Sequence, residues 1–285
     1  MKILILGYKS FVANGLYQKF KSKGFEVDCF SRGNYAKTSD FIHGDVCELS
    51  TNEYLKESYD VVINFILLKD CDLSENQKFI DQIKLLCNEK KVASYIHLSS
   101  IIVYDYSLEK INEKSSVDLK NKHNIYANLK RDIDIYLEKI FNNQKTLVSY
   151  VRPGFVVENI KDCSFALKLF SNVYVLKGDN KSKLPLIERE KLQKGLINIV
   201  SKKLTEKVYL FVPNKNHKKI DIVNNFINPK VLFVIPRYCI LPFLKFLKFF
   251  KVIDRMKSRS VLNMYSKVDY NSNLTTQIIN VNFEI

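Results

Sequence analysis

The sequence predicts an α/β fold, a doubly wound parallel sheet with a smaller C-terminal part. Three observations carry this prediction. Apolar runs of strand length alternate with helical patterns over about 150 residues, the signature of repeated strand-helix-strand units. The first run ends in a glycine loop. Gly7, Ser31, Asp45, Phe65 and Ser100, picked out for separate reasons, all fall at strand ends, and in such sheets ligands bind at the carboxyl ends of the strands.

Lys2 to Leu6 reads as the first strand, with no long apolar core or cleavage site of a signal peptide. The loop Gly7-Tyr8-Lys9-Ser10-Phe11-Val12-Ala13 follows, and a helical pattern runs from near Phe11 through Leu16, Tyr17 and Phe20 to Gly24. A dinucleotide-binding loop of this kind has glycine at its first, fourth and seventh positions, for a tight turn, close approach to pyrophosphate and helix-to-strand packing. Gly7 meets the first need, and the small residues Ser10 and Ala13 stand at the other two. Phe25 to Phe30 is a second strand ending in Ser31-Arg32-Gly33. An acidic residue there would bind an adenosine ribose, whereas arginine beside a small hydroxyl suits a 2′-phosphate, so the strand end points to NADP, with NAD as the alternative.

A short third strand, Phe41 to Asp45, brings the Asp45 carboxylate toward an adenine amino group. Tyr59 to Phe65 is a near-continuous apolar run of the kind buried on both faces of a parallel sheet. The helix from about Leu73 to Lys90 has Phe79, Ile80, Ile83, Leu86 and Cys87 on one face. Ala93 to Leu98 is a strand that stops at Ser99-Ser100, with His97 a structural residue inside it. Val148 to Gly154 is a sixth strand and turn. Beyond it, Leu184 to Ile187 and Val208 to Val212 read as short strands around a helix from Lys191 to Ser201. Residues 1–155 form the dinucleotide-binding domain, and 156–285 the substrate-binding part, with some segments returning to the sheet.

The chain has 285 residues, 46% of them apolar, enough for a sizeable core. Its six cysteines, at 29, 47, 71, 87, 163 and 239, form no Cys-x-x-Cys pair and no metal set with histidine, and read as reduced, mostly buried residues of a cytoplasmic protein. The net charge of +15 suits phosphates, lipids or nucleic acid. No zinc-finger spacing, basic zipper or aromatic RNA-binding motif accompanies it, so nucleic acid is not an expected partner.

Asn124 to Lys130 places Tyr126 and Lys130 four residues apart on one helix face. A fixed positive charge beside a phenol favours the phenolate and brings the group toward acid/base work at neutral pH. With 16 tyrosines and 45 lysines and arginines, one such spacing arises readily by chance, and its weight comes from its surroundings.

Those surroundings are Ser99-Ser100-Ile101-Ile102-Val103-Tyr104 before Tyr126 and Arg152-Pro153 after it. With them the chain resembles the extended short-chain dehydrogenases/reductases, and more narrowly the nucleotide-sugar epimerases, dehydratases and reductases, over residues 1 to about 155 and loosely over 180 to 215. The resemblance implies a Rossmann-like domain in which Ser100 positions the substrate oxygen, Tyr126 is the acid/base and Lys130 holds the nicotinamide ribose and lowers the Tyr126 pKa. It implies Gly7, Ser10, Phe11 and Val12 at the pyrophosphate and Ser31 and Arg32 at the adenosine ribose, with Asp45 and Val46 also in the cofactor site. Phe65, Lys69 and Pro153 complete the cofactor site, and no metal is implied. Sugar dehydratases of this family carry an Asp-Glu pair directly after the hydroxyl residue. Ile101-Ile102 stand there, which argues against dehydration and leaves keto-sugar reduction, slightly favoured, or epimerisation through a transient keto-sugar.

The expected substrate is a nucleotide-linked sugar. The alternatives are an epimerase acting on a polyprenyl-linked sugar at the membrane surface and a non-catalytic dinucleotide-binding protein. Val231 to Lys257 is basic and apolar, with Lys245, Lys248 and Lys251 set among phenylalanines and leucines. Its longest apolar stretch, Tyr238 to Leu244, is far short of the roughly 20 residues that span a bilayer. It is expected to pack as a helix of the substrate part, with contact to the inner face of the membrane as the rival reading. The chain is compatible with a homodimer.

Overall fold

The structure, a computed structural model, describes residues 1–104, 108–117, 125–159, 166–214, 217–249 and 267–283. Through the first half the elements are β1 (Lys2–Leu6), α1 (Leu16–Lys21), β2 (Glu26–Arg32), β3 (Ala36–Thr38), β4 (Phe41–Gly44), β5 (Val61–Asn64), α2 (Leu73–Glu89), β6 (Ser94–Leu98), β7 (Lys110–Ile111), α3 (Ile125–Phe141) and β8 (Leu147–Pro153). There follow β9 (Phe155–Val157), β10 (Ala166–Phe170), β11 (Val173–Leu176), β12 (Lys183–Leu184), β13 (Leu186–Glu188), α4 (Arg189–Ser201) and β14 (Val208–Phe211). The chain then forms β15 (His217–Lys218), α5 (Lys219–Phe226), β16 (Val231–Val234), α6 (Arg237–Phe249), β17 (Asp269–Tyr270) and a terminal helix, Asn273–Ile279.

Eight strands form the main sheet in the order β14-β8-β6-β5-β1-β2-β4-β3. All neighbours are parallel except β3, which turns back antiparallel on β4. The central strands are buried on both faces, which is why they read as unbroken apolar runs. One face packs Ile3, Ile5, Val27 and Ile63 against Leu16 and Phe20 of α1, Leu192 and Leu196 of α4, and Ile279 and Phe283. The other packs Leu4, Leu6, Phe30 and Val62 against Phe79, Ile83 and Leu86 of α2 and Leu129, Ile133 and Leu137 of α3. Helices on both faces make the sheet doubly wound, as the sequence predicts. The parallel strands all end on one rim, and the strand order reverses beside β1, the place where such sheets open a crevice.

Three local expectations are corrected. Residues 8–15 form turns, and α1 begins only after Gly15, whose φ of 85° is left-handed; Phe11 lies outside the helix and is exposed. Val231–Val234 is a strand paired in parallel with β11, ended at Pro236 where a backbone donor is lost, and the helix begins only at Arg237. On that helix Tyr238, Leu241 and Phe246 are exposed, while 250–257 lie outside the described residues. Of the five described cysteines, all free, only Cys29 and Cys87 are buried. No helix among the described residues is long and apolar enough to cross a membrane.

Besides β14 and α4, the late segments meet the first sheet at a close crossing. Gly154 donates its N–H to Phe211 O at 2.9 Å, and Phe155 donates to Pro185 O at 2.8 Å. A Cβ at Gly154 would lie 2.0 Å from the Pro185 carbonyl oxygen, a backbone atom with no freedom to rotate away. Gly24, by contrast, has φ +80° and open space around it. Gly154→Ala is therefore expected to cost about 3 kcal/mol or more, the upper end of forced overpacking, against about 1 kcal/mol for the left-handed backbone of Gly24→Ala. Urea unfolding midpoints compare the two, and equal losses would contradict the crossing.

Candidate active site

The cofactor half of the rim is built on Gly7. Its φ is 81°, and a Cβ there would meet Ile66 Cγ1 at 2.8 Å and the Ile66 backbone nitrogen at 3.2 Å, so both its conformation and its packing require glycine. Ser10 replaces a glycine without disturbing the turn, because its N–H bonds Gly7 O at 2.9 Å and its hydroxyl accepts from Ala13 N at 3.3 Å. The carbonyls of the next residues are fixed from α4. Gln193, buried, donates to both Val12 O and Asn14 O at 2.8 Å, and the Arg189 guanidinium lies 5.0 Å from the Phe11 ring and 3.4 Å from its carbonyl. These two clamps come from almost 180 residues away and leave no local trace in the sequence.

At the end of β2 the Ser31 hydroxyl is 2.8 Å from His43 Nδ1 on β4, its register partner, while Arg32 is exposed with no carboxylate partner among the described residues. Asp45 is exposed, and one of its oxygens accepts from Cys47 N at 2.8 Å, capping a short turn. The Val46 side chain is buried in the core. Phe65 is likewise packed into the core. Beyond it Asn76 holds the loop, accepting from Leu68 N at 3.1 Å and donating to Leu68 O at 3.0 Å. That loop presents Lys69, whose ammonium stands 5.9 Å from the centroid of the Tyr126 ring.

The reactive half lies where α3 meets β6 and β8. Ser100 caps the 3-10 turn Ile101–Val103, its hydroxyl accepting from Ile102 N at 3.3 Å. Tyr126 stands in the first turn of α3, partly exposed; Asn124 lies outside the described residues. Lys130, one turn further on, is buried and donates to Leu98 O at 2.6 Å. Burial raises the Tyr126 phenol above its ordinary value, in place of the expected lowering by Lys130. The physical reason is that the Lys130 ammonium is directed to a strand-end carbonyl rather than to the phenol. Lys130 itself is lowered to about 8 by burial, against the attraction of Asp134 and with further lowering by Lys69.

One helical turn beyond Lys130, the buried Asp134 carboxylate accepts from Ser99 Oγ at 2.7 Å and from Arg152 at 3.0 Å. His97, kept neutral by burial and by the cations Lys130 and Arg152, stands 3.6 Å from its other oxygen. The Arg152 guanidinium also lies 4.8 Å from the Tyr104 ring and 5.6 Å from the Tyr150 ring. Pro153 follows Arg152 at the end of β8, buried and in register with Phe211. Ser100, Lys130 and Pro153 thus sit on elements joined by one carboxylate, with Tyr126 on the turn above. Among the described residues no group of His, Cys, Asp and Glu could hold a metal ion.

A doubly wound sheet with a Ser-x-x-x-Tyr rim segment and a Tyr-x-x-x-Lys helix defines a short-chain dehydrogenase/reductase of the extended type. The family comparison agrees: residues 3–157 match the NAD dependent epimerase/dehydratase family, and the chain belongs to it. Solved structures share the fold at low identity. A short-chain dehydrogenase/reductase superfamily protein from Agrobacterium tumefaciens with bound NAD is 9% identical, with a TM-score of 0.72 over 100% of this chain and 93% of that one. The UDP-N-acetylglucosamine 4-epimerase of Bacillus cereus is 13% identical, with a TM-score of 0.69 over 100% and 94%. A human epimerase family protein with NADPH is 14% identical, with a TM-score of 0.65 over 98% and 93%. No curated protein sequence matches the chain.

The lowered Lys130 gives a pH signature. Between about 8 and its ordinary value of 10.5 the unfolded chain holds this proton and the native protein does not, so stability rises with pH across that window. The cost of the buried ammonium is fully present below the window. Lys130→Met should flatten the rise by up to about 3 kcal/mol, at about 1.4 kcal/mol per pKa unit. Lys219, also lowered to about 8 by burial, contributes a separate share that this variant leaves in place. Denaturant titrations at a series of pH values read the slope, and an unchanged slope would place the Lys130 proton elsewhere.

Proposed function

We propose that the protein is an NADP-dependent reductase of a keto-sugar carried on a nucleotide, with Ser100, Tyr126 and Lys130 as its reactive set. The observation that carries this reading is the Lys130 bond to Leu98 O, which fixes the Tyr126 helix against the strand end that presents Ser100. A nicotinamide dinucleotide bound on the rim supplies the hydride. The residues present fit such a group: Gly7 makes the tight left-handed turn that ends β1 at the rim, and the exposed Arg32 beside Ser31 and His43 suits a 2′-phosphate.

On this reading the Ser100 hydroxyl hydrogen-bonds the substrate carbonyl oxygen, and the Tyr126 phenol gives that oxygen its proton as the hydride reaches carbon. The Tyr126 phenol, raised by burial, is protonated at neutral pH and suits the donor role, in reduction as in the return step of an epimerisation. Ile101, buried, and Ile102 follow Ser100 and offer neither the acid nor the base that eliminating water needs. Support for a nucleotide carrier comes from the UDP-sugar named for the Bacillus cereus protein. Epimerisation by the same residues is the second reading, favoured by the family to which the chain belongs. A lipid carrier is favoured by one observation, the exposed apolar face of β16 and α6.

Tyr126→Phe should keep NADPH binding and lower turnover by about 100-fold or more, the scale of a lost general acid. Unchanged turnover would show that another group carries the proton. Arg32→Ala should weaken NADPH by roughly 1.5 to 3 kcal/mol and leave NADH nearly unaffected. Equal losses would remove Arg32 from the 2′-phosphate. NADPH oxidised in step with product marks reduction, and product without net oxidation marks epimerisation.

A further inference from the structure

We propose that the outer face of the sheet β10-β11-β16, continued by α6, is a docking surface for a bilayer with anionic headgroups. The inner face of this sheet is conventional: Ala166, Tyr174, Leu176, Leu232 and Val234 pack with Ile222 and Val223 of α5. Alternation along the strands places the other residues outward, and the register lines up Leu167, Val175 and Phe233 in one row, with Val173 beside Val231 in the next. A face turned to water would carry polar side chains at these positions. Instead Leu167 is 54% exposed and Phe233 53%, with Leu169 and Val231 also open. The chain runs from this face through Ile235 and Pro236 into α6, where Tyr238 is 73% exposed and Phe246 58%.

The charges select the partner. From Ile222 to Ile253 the sequence contains no aspartate or glutamate, while it carries Lys230, Arg237, Lys245, Lys248 and Lys251, the last outside the described residues. From Cys163 to Gly178 there is again no acidic residue, with Lys168 and Lys177 present. An apolar face on segments that carry cations and no acid in their sequence matches acyl chains beneath anionic headgroups. A second copy docking by the same face would set these cations against themselves, which a chain of net charge +15 does nothing to relieve. With no described helix able to span a bilayer, the contact lies on the surface. The proposal is independent of the catalytic reading, since its residues lie outside the rim.

The test uses the full chain and vesicles of phosphatidylcholine with about 30% phosphatidylglycerol, or without it, at low salt and at about 0.5 M, where the screening length falls to a few ångströms. The expected result is sedimentation with the anionic vesicles at low salt, release at high salt, and a loss of partitioning of roughly tenfold or more for Phe233→Glu and for Leu167→Glu. The chain has no tryptophan, so Phe233→Trp provides a single emission reporter that should shift to the blue on anionic vesicles and not on neutral ones. This conservative variant keeps the proposal testable even where a glutamate on the strand disturbs folding. No sedimentation with a folded protein, sedimentation with no emission shift, or a dimer dissolved by Phe233→Glu in the absence of vesicle binding would overturn it.

Discussion

The buried carboxylate of Asp134 is the joint on which the reactive end of the molecule depends. It reaches from α3 to a serine on the strand end of β6 and to an arginine on β8, and its charge favours the ammonium of Lys130 one turn away. Burial pushes such a carboxyl up, while Arg152, Ser99 and Lys130 pull it back toward the charged form. Removing one partner of a buried pair leaves the other charge uncompensated, a cost far above the net worth of the pair. The arrangement therefore resists piecemeal change, and it holds the backbone of Ser100, the α3 helix and Pro153 in one frame.

The cofactor end is held differently. Its loop has lost two of three expected glycines, and order is restored by contacts from α4, where Gln193 takes two loop carbonyls and Arg189 covers Phe11. A loop that is stiff by its own composition is thus replaced by one braced from the C-terminal half of the chain. In such a design, changes in α4 alter the loop without touching a ligand.

What could be read in the sequence follows from the range of the forces involved. Buried parallel strands declare themselves as apolar runs, and α2 by its one-sided apolar pattern. The rim residues were legible because strand ends are local features. The three-residue strand β3 has too short a pattern to register, and the late start of α1 was hidden by apolar Phe11 and Val12, which look helical but precede left-handed Gly15. Asp134, His43, Gln193 and Arg189 act across the fold, and an isolated charged or polar residue gives no sign of the partner it will meet. The direction of the Tyr126 shift was missed for the same reason, since the destination of Lys130 is the distant Leu98 carbonyl.

The place of β14 at the edge of the main sheet has a consequence for synthesis. Its partner β8 carries Arg152 and Pro153, yet the strand that covers β8 ends at Phe211, about 60 residues later. At ribosomal speeds of roughly 5 to 20 residues per second, β8 spends several seconds as an open edge on the emerging chain. An uncovered edge invites pairing with any other strand. The half of the protein that carries the reactive residues thus reaches its final form only after much of the second half has been made, and the nascent chain passes through a window in which protection by a chaperone matters most.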